Sequence, residues 1–597
     1  AIFIRIDIAG EPLVGADVTC RWHSCTNVGM MSASRSGLFD SVRRWAMSLK
    51  PQSAYTVPED TRRVARAIFP NGNIYMRLYD TFGTVFQDSD FAALFAHDGQ
   101  PALSPVRLII VSILQFIEGL TDRQAADAVR TRIDWKYLLC LELTDPGFDH
   151  SVLSEFRTRL INGSAEGRLL TTLLTHFQAQ GLVKARGKQR TDSTHVLGAI
   201  RAMTRLECVG ETMRHALNSL AVVAPDWLRA HSQREWVERY GMRADDYHLP
   251  TSATQRIAYA EMVGADGSAL LLAIYDPTAP IWLRQVPAVE TLRRVWVQNY
   301  TWSEKDGVCW RQADNIPPAA VFISSPYDAD ARYATKRSTS WVGYKVHITE
   351  TCDDDAPRLI TNVETTSAPV ADGAMTVAIH EALQEKGLLP ADHLVDTGYL
   401  DAELLVASQE AYAVELVGPT RGDYHWQARQ GRGFAAQNFV IDWARKQATC
   451  PAGKTNSSWS PAVDKRTNPV IKIKFSRKDC GACPFQAQCT TSNPPRRTVT
   501  IRPEAQYKAL QVAREREQTE AFTKKYARRA GVEGTVSQGV RTSGLRRSRY
   551  IGLAKTHLQH VLTVCALNIV RVMRWLAGEP LARTRQSAFM KLYAAPT

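Results

Sequence analysis

From Ser104 to Ile161 the apolar positions recur at helical spacing. "SPVRLIIVSILQFIEGL", then "TDRQAADAVRTR" with Thr121 in an N-cap position, then "DHSVLSEFRTRLI" after a "DPGF" turn predict three or four short helices. Arg123, Arg130, Arg132, Arg157 and Arg159 fall on their polar faces. Such an array suits a helix-turn-helix type DNA reader or a plain bundle with solvated arginines. Past "GLVKARGKQR" a short strand is predicted in "QRTDSTHVLGAI", followed by a long helical, tryptophan-containing stretch from about 201 to 333. "WVGYKVHITET" and "PRLITNVETTSA" then alternate and are rich in β-branched and aromatic residues, which predicts an antiparallel hairpin turning at "CDDDA". The helix "DGAMTVAIHEALQEKGLL", the strand "DHLVDTGYL" ending at Asp396, the helix "DAELLVASQEAY" and the strand "VELVGP" follow. That order describes a mixed sheet flanked by helices, an α/β core.

The core pattern breaks at Thr420. Up to Pro503 the chain offers short strands, "NFVIDWARKQATC", "VIKIKF" and "RRTVTIR", before a long helix from about Glu504 leads to Glu533. The expected organisation is a helical N-terminal domain (47–180) and an α/β core (181–419 plus 504–555) with its helical insertion at about 201–333. A β-rich insertion (420–503) and a C-terminal helical tail (556–597) complete it. Residues 1–46 show short apolar pieces without a sustained pattern. They read either as upstream sequence with Met47 as the start or as a small hairpin packed on the body.

Composition changes this picture in three places. At 597 residues, 45% hydrophobic and 22% charged, the chain has the length for several domains and the balance of a folded one. A formal charge of +13 favours a polyanionic partner such as nucleic acid. The apolar runs "LIIVSILQFIEGL" and "HVLTVCALNIVRVMRWLAG" are respectively too short to span a bilayer and broken by Asn568, Arg571 and Arg574, so both predict buried helices. With no export pattern at the N-terminus, a cytoplasmic location without a membrane partner is expected.

Eleven cysteines, mostly scattered, do not form a disulfide framework. Four are clustered. Cys480 and Cys483 have C-x2-C spacing, Cys489 follows, and Cys450 lies upstream after a predicted strand, so together they offer four thiolates for a closed, structural zinc. The same insertion carries Trp426, Trp443 and Trp459. Trp426 and Trp459 are candidates for stacking on an extruded base, whereas Trp443 sits within a strand pattern.

Three acids from distant parts of the chain can meet at one end of the sheet: Asp192 on a strand, Asp396 at a strand end and Glu533 on a helix. Hard divalent cations choose oxygen ligands, so such a set can hold two ions for phosphoryl displacement. The arginines and lysines around Glu533 would offset the repulsion between these acids and an incoming phosphodiester. Singly, each acid reads as a turn former or a solvent-facing residue. Glu350, in "KVHITETCDD", reads as a solvent-facing strand end.

The spacing Tyr526-x2-Arg529-x3-Glu533 resembles the signature of DDE transposases in the insertion sequence 4 superfamily. "SLKPQ", "RLIIVSILQFIEGLTDRQAADAVRTRIDWKYLLCLEL", "FDHSVLSEFRTRL", "DADARYATKRSTSWVGYKVHITETCD", "LVDTGYLDAELL", "CGACPFQAQC" and "RAGVEGTVSQGVRTSGLRRSRYIGLAKTHLQHVLTVCALNIVR" resemble the insertion sequence 1182 family, from about Met47 to Gly578. The resemblance implies an RNase H-like catalytic core with Asp192, Asp396 and Glu533 as the triad holding Mg²⁺ or Mn²⁺, behind an InsH-type N-terminal domain. It implies hydrolysis at an element's ends and attack of the freed 3′-hydroxyl on target DNA without a covalent enzyme intermediate. Double-stranded DNA is the implied partner, bound by a dimer or larger assembly that pairs two ends. Tyr526, Arg529, Arg541, Arg546, Arg547, Arg549 and Lys555 are the implied DNA contacts. One position departs from the pattern, because Val540 stands where the superfamily has lysine, and Arg541 or Lys555 is the expected substitute. The rival readings are an inactive descendant that binds DNA as a regulator, and a metal-dependent nuclease that joins no strands.

Overall fold

The computed structural model describes residues 48–245, 249–305, 307–580 and 588–593. The stretch 1–46, read above as upstream sequence or a hairpin, lies outside the described residues. In chain order the described strands are β1 (Lys188–Leu197), the short hairpin β2 (Tyr300–Ser303) and β3 (Gly307–Trp310), β4 (Arg332–Lys336), β5 (Thr339–Thr351), β6 (Ile360–Ser367), β7 (Asp392–Leu394) and β8 (Glu415–Val417). The insertion adds β9 (Val440–Asp442), β10 (Gln447–Thr449), β11 (Asn456–Val463), β12 (Pro469–Phe475) and β13 (Thr498–Ile501).

A mixed sheet of six strands holds the molecule together. β5 runs antiparallel to β1 on one side and to β4 and β6 on the other, while β7 lies parallel to β1 and β8 parallel to β7. β1 is therefore central, although its sequence is polar. Gln189, Arg190 and Thr191 are all buried, and buried polar groups need partners. Thr191 Oγ1 lies 2.7 Å from Thr349 Oγ1 and 2.6 Å from His393 Nε2, and Gln189 Nε2 donates to the Leu388 carbonyl at 2.7 Å.

The N-terminal helices form as their patterning requires. Thr121 accepts from the Gln124 backbone N–H while the Gln124 side chain returns to the Thr121 N–H, a capping box. Their packing differs from a freestanding domain, since the helices Pro105–Glu118 and Glu166–Ala179 share one hydrophobic core with the sheet and with the helix Leu553–Leu576. That last helix was expected in a C-terminal tail. It is a core element instead, with Leu558, Val564, Cys565 and Val572 fully buried. The polar break at Asn568 is used there: its Oδ1 accepts from the Ile360 N–H and its Nδ2 donates to the Ile360 carbonyl, each at 2.8 Å, at the start of β6. Arg157, expected on a polar face, is also buried, with its guanidinium on Asp122 and over the Tyr550 ring.

Among the described residues, two larger cores and a small cluster of Cys352, Leu394, Val417 and Phe522 stand apart from the main core. The helices Arg205–Val223, Ala253–Tyr275 and Pro287–Asn299 and the β2–β3 hairpin pack around Val263, Leu292, Trp296 and Tyr300. Ala253–Tyr275, which is not one of the two apolar runs read from the sequence, is long and apolar enough to cross a membrane by length and composition. Here it buries Val263, Leu270 and Ile274 in this helical unit. The third core belongs to the β-rich insertion, where Phe439, Ile473, Phe475 and Val499 meet. "NFVIDWARKQATC", predicted as one strand, is the hairpin β9–β10, and Trp443 lies in its turn.

Buried histidines give this fold an acid-sensitive stability. Burial depresses His380 to about 4 and His560 to about 3, below an unfolded value of about 6.5. Below pH 6.5 the unfolded chain takes up protons that the folded chain refuses, so stability falls as pH falls. Between pH 7 and 5.5 the expected loss is about 1 kcal/mol per histidine, measured as a lower urea midpoint. An unchanged midpoint would mean that neither imidazole stays neutral in the folded protein.

Candidate active site

The three acids come from three kinds of local structure. Asp192 sits at the middle of β1, opposite Ile348 of β5. Asp396 lies just past β7, where the strand ends because its carboxylate caps the following 3-10 turn: Oδ1 accepts from the Gly398 N–H at 2.7 Å. A Cβ at Gly398 would approach Asp396 Oδ1 to 2.9 Å and Asp372 Oδ2 to 3.2 Å, so a larger residue there would displace these carboxylates. Glu533 stands in the first turn of the helix Gly531–Ser543. The single long helix predicted from Glu504 is in fact three helices, Glu504–Glu517, Glu520–Ala527 and Gly531–Ser543, with a 3-10 turn at Arg528–Ala530. Thr519 caps the second one, accepting from the Phe522 N–H at 3.1 Å. Gly531 lets the third approach β1, because a Cβ there would lie 2.1 Å from Arg190 Nη1.

These carboxylates converge on one guanidinium. Arg529 Nη2 is 2.7 Å from Asp192 Oδ2 and 4.0 Å from Asp396 Oδ2, and Nη1 is 3.3 Å from Glu533 Oε1. Asp192 Oδ1 meanwhile accepts from the Ser193 N–H at 2.8 Å. Each aspartate thus has one oxygen fixed by backbone and the other turned to Arg529. Asp192 is mostly buried, and burial raises its pKa against the opposing pull of Arg529. Burial works to lower the Arg529 pKa, but the charges of Asp192, Tyr526, Asp396 and Glu533 together raise it. Glu533 is the open member, with 68% of its side chain exposed.

A cavity of about 410 Å³ opens beside them, lined by Asp192, Thr194, Glu533, Ser537, Arg541 and Arg546 among others. Arg546 is held there by Thr194 Oγ1 at 2.8 Å. Arg541 is exposed at the end of its helix, one position beyond Val540, which packs against the core. Of the two expected stand-ins for the missing lysine, Arg541 lines this cavity, whereas Lys555 is exposed on the first turn of the helix Leu553–Leu576. Arg547 is exposed as well. Arg549 donates to the Leu120 carbonyl at 2.9 Å and lies over the Phe116 ring, so it joins this segment to the N-terminal helices. Tyr526 is half-buried and stacked on Phe522 at 5.5 Å. In the insertion, Trp426 is half-buried at the start of a short helix, and Trp459 packs edge-on against Trp443 at 5.6 Å. Trp459 is half-buried and packs against the insertion's core.

Sequence reasoning misplaced Glu350. It is fully buried, not solvent-facing, and its register opposite Arg190 explains why. Arg190 Nε donates to Glu350 Oε1 at 2.8 Å, while Oε2 accepts from Thr535 Oγ1 at 2.5 Å and Arg571 Nη1 at 2.8 Å. Arg190 also donates to the Arg528 carbonyl. One carboxylate thus ties the strand of Asp192 to the turn of Arg529 and the helix of Glu533. Burial alone would raise the Glu350 pKa, but Arg571 and Arg190 outweigh it and hold it below the usual value. Arg190 at two positions before Asp192 was the available signal, because a charge on a central strand demands a buried partner. Asp372 was also missed. It accepts from Ser193 Oγ at 3.0 Å and Lys345 Nζ at 2.9 Å, behind the site.

Among the described residues, no group of three or more histidine, cysteine or acidic side chains is already closed to metal-binding distance. The three acids close on Arg529 instead.

Comparison with known families adds an independent finding. Residues 449–573 match a transposase DDE domain, and residues 63–159 match a transposase domain of the type DUF772. The first match spans Tyr526, Arg529, Glu533 and the four clustered cysteines, while Asp192 and Asp396 lie outside it. No curated protein matches the chain. The two matches indicate a transposase of the DDE type, a DNA-processing enzyme with DNA as substrate.

Proposed function

We propose that this chain, carrying two transposase domains, cuts DNA at the ends of an insertion sequence of the 1182 type and joins the freed 3′-hydroxyl to target DNA. The single observation that carries the reading is the meeting of Asp192, Asp396 and Glu533 around Arg529, from positions far apart in the chain. The sheet order β6–β5–β1–β7–β8, with the first acid on the central strand and the second just past its parallel neighbour, supports an RNase H-like core. The DUF772 match over the N-terminal helices supports a DNA-reading role there.

The donor set fits a hard divalent ion, because all three side chains offer carboxylate oxygen and both aspartates have one oxygen already fixed by backbone. Asp192, Asp396 and Glu533 are the residues that would hold Mg²⁺ or Mn²⁺, which when bound supplies Lewis-acid stabilisation of a phosphoryl transfer. The chain's own part is positioning and charge. Arg541 and Arg546, on the cavity wall, offset the charge of an approaching phosphodiester and fix its register. The Arg529 fork is suited to bidentate phosphate recognition. Two element ends must be paired for transposition, so a dimer or larger assembly is proposed, acting in the bacterial cytoplasm.

The test is cleavage of a DNA fragment bearing the element's own end, with Mg²⁺ or Mn²⁺, comparing the native protein with Asp396→Asn. Cutting that needs both the metal and Asp396 is expected. DNA binding without cutting by the native protein would favour an inactive regulator. Cutting without joining to a target would favour a nuclease.

A further inference from the structure

The four clustered cysteines serve none of the chemistry above, and their placement is specific. Cys450 follows β10, Cys480 and Cys483 lie in and after the short helix Arg477–Gly481, and Cys489 ends the helix Gln486–Cys489. All four line one cavity of about 30 Å³, together with Lys454, Phe475, Asp479 and Arg497. None is in a disulfide. Two of the sulfurs already accept backbone hydrogen bonds, Cys450 Sγ from the Lys454 N–H and Cys480 Sγ from the Arg497 N–H, each at 3.4 Å.

We propose that this cavity is a structural zinc site with Cys450, Cys480, Cys483 and Cys489 as its four ligands, the ion drawing together sulfurs that line the cavity but do not form a closed ligand group without it. The cavity has room for one ion, and four sulfurs leave no open position for a reacting group. Binding releases the thiol protons and leaves a site of net charge −2, which Lys454 and Arg497 on the same wall offset in part against Asp479. The subdomain also has a reason to need it. Its own core buries only Phe439, Ala448, Ile473, Phe475, Val499 and Ile501, too few side chains to hold a unit of this size unaided. A metal ties the β9–β10 hairpin to the segment between β12 and β13 across that thin core. The proposal is independent of the catalytic reading, because it concerns a site that touches neither Arg529 nor the three acids.

The full-length protein, purified without chelator, is expected to contain about one zinc per chain. Exchange with Co²⁺ should give thiolate-to-cobalt charge transfer and the intense visible bands of tetrahedral coordination. Cys480→Ser combined with Cys483→Ser should lose most of the zinc, whereas Cys309→Ser, in the helical unit, should keep it. Where the double variant fails to fold, the cobalt spectrum of the native chain and limited proteolysis decide. Metal removal should open cleavage sites within 436–501 and leave the main core resistant. Protein free of zinc with no thiolate band, zinc retained in the double variant, or iron in place of zinc would each overturn the proposal.

Discussion

Arg529→Ala is expected to lower DNA cleavage on the order of 10²–10³-fold, the range for removing one preorganised charged group from a reacting centre. The guanidinium is the shared counter-charge of Asp192, Asp396 and Glu533, so its loss leaves the three acids without the side chain that neutralises them together. The sign of the pH effect follows. Burial already raises the Asp192 pKa and Arg529 opposes that rise. Without Arg529 the pKa climbs further, and the acid limb of the pH–rate profile moves to higher pH. Arg529→Lys keeps a charge but not the fork that reaches all three acids, so it should recover only part of the rate. A pH–rate profile that is merely scaled down, with its acid limb unmoved, would show that Arg529 acts on DNA alone.

Glu350→Ala is expected to destabilise the main core by about 3–5 kcal/mol, because removing one partner of a buried ion pair strands the others. Here two guanidiniums, the buried Arg190 and the half-buried Arg571, lose the fully buried carboxylate they share. Urea unfolding followed by tryptophan fluorescence measures it. Glu350→Gln keeps the shape and part of the hydrogen bonding, so it should fold and report function. Since Glu350 holds the Arg528 turn and the Thr535 helix against β1 through its partners, the Gln variant should lose turnover more than DNA affinity. Equal loss of both would indicate general loosening and not a positioning role.

Some of this was legible locally. Thr121 capped a helix as its spacing with Gln124 required. The alternating strands around "CDDDA" paired as read, and the two apolar runs became buried helices. Each of these rests on interactions among near neighbours, which periodicity and capping chemistry record. The candidate acids were nameable too, although through resemblance and not through any local signal.

The rest depended on partners far along the chain. Nothing near Glu350 reveals that Arg190 lies opposite it, or that Arg571, in a helix read as part of a tail, closes on its other oxygen. Asn568 reads as a flaw in an apolar run until the start of β6 is placed beside it. Trp443 and Trp459 read as separate residues until the insertion brings their rings together. The sequence by itself determined which segments become helices and strands and which residue types are available for chemistry. Tertiary structure alone decided which charges are buried and which meet, because the energy of a buried charge is set by the partner that desolvation forces on it, and that partner is chosen by strand register and packing.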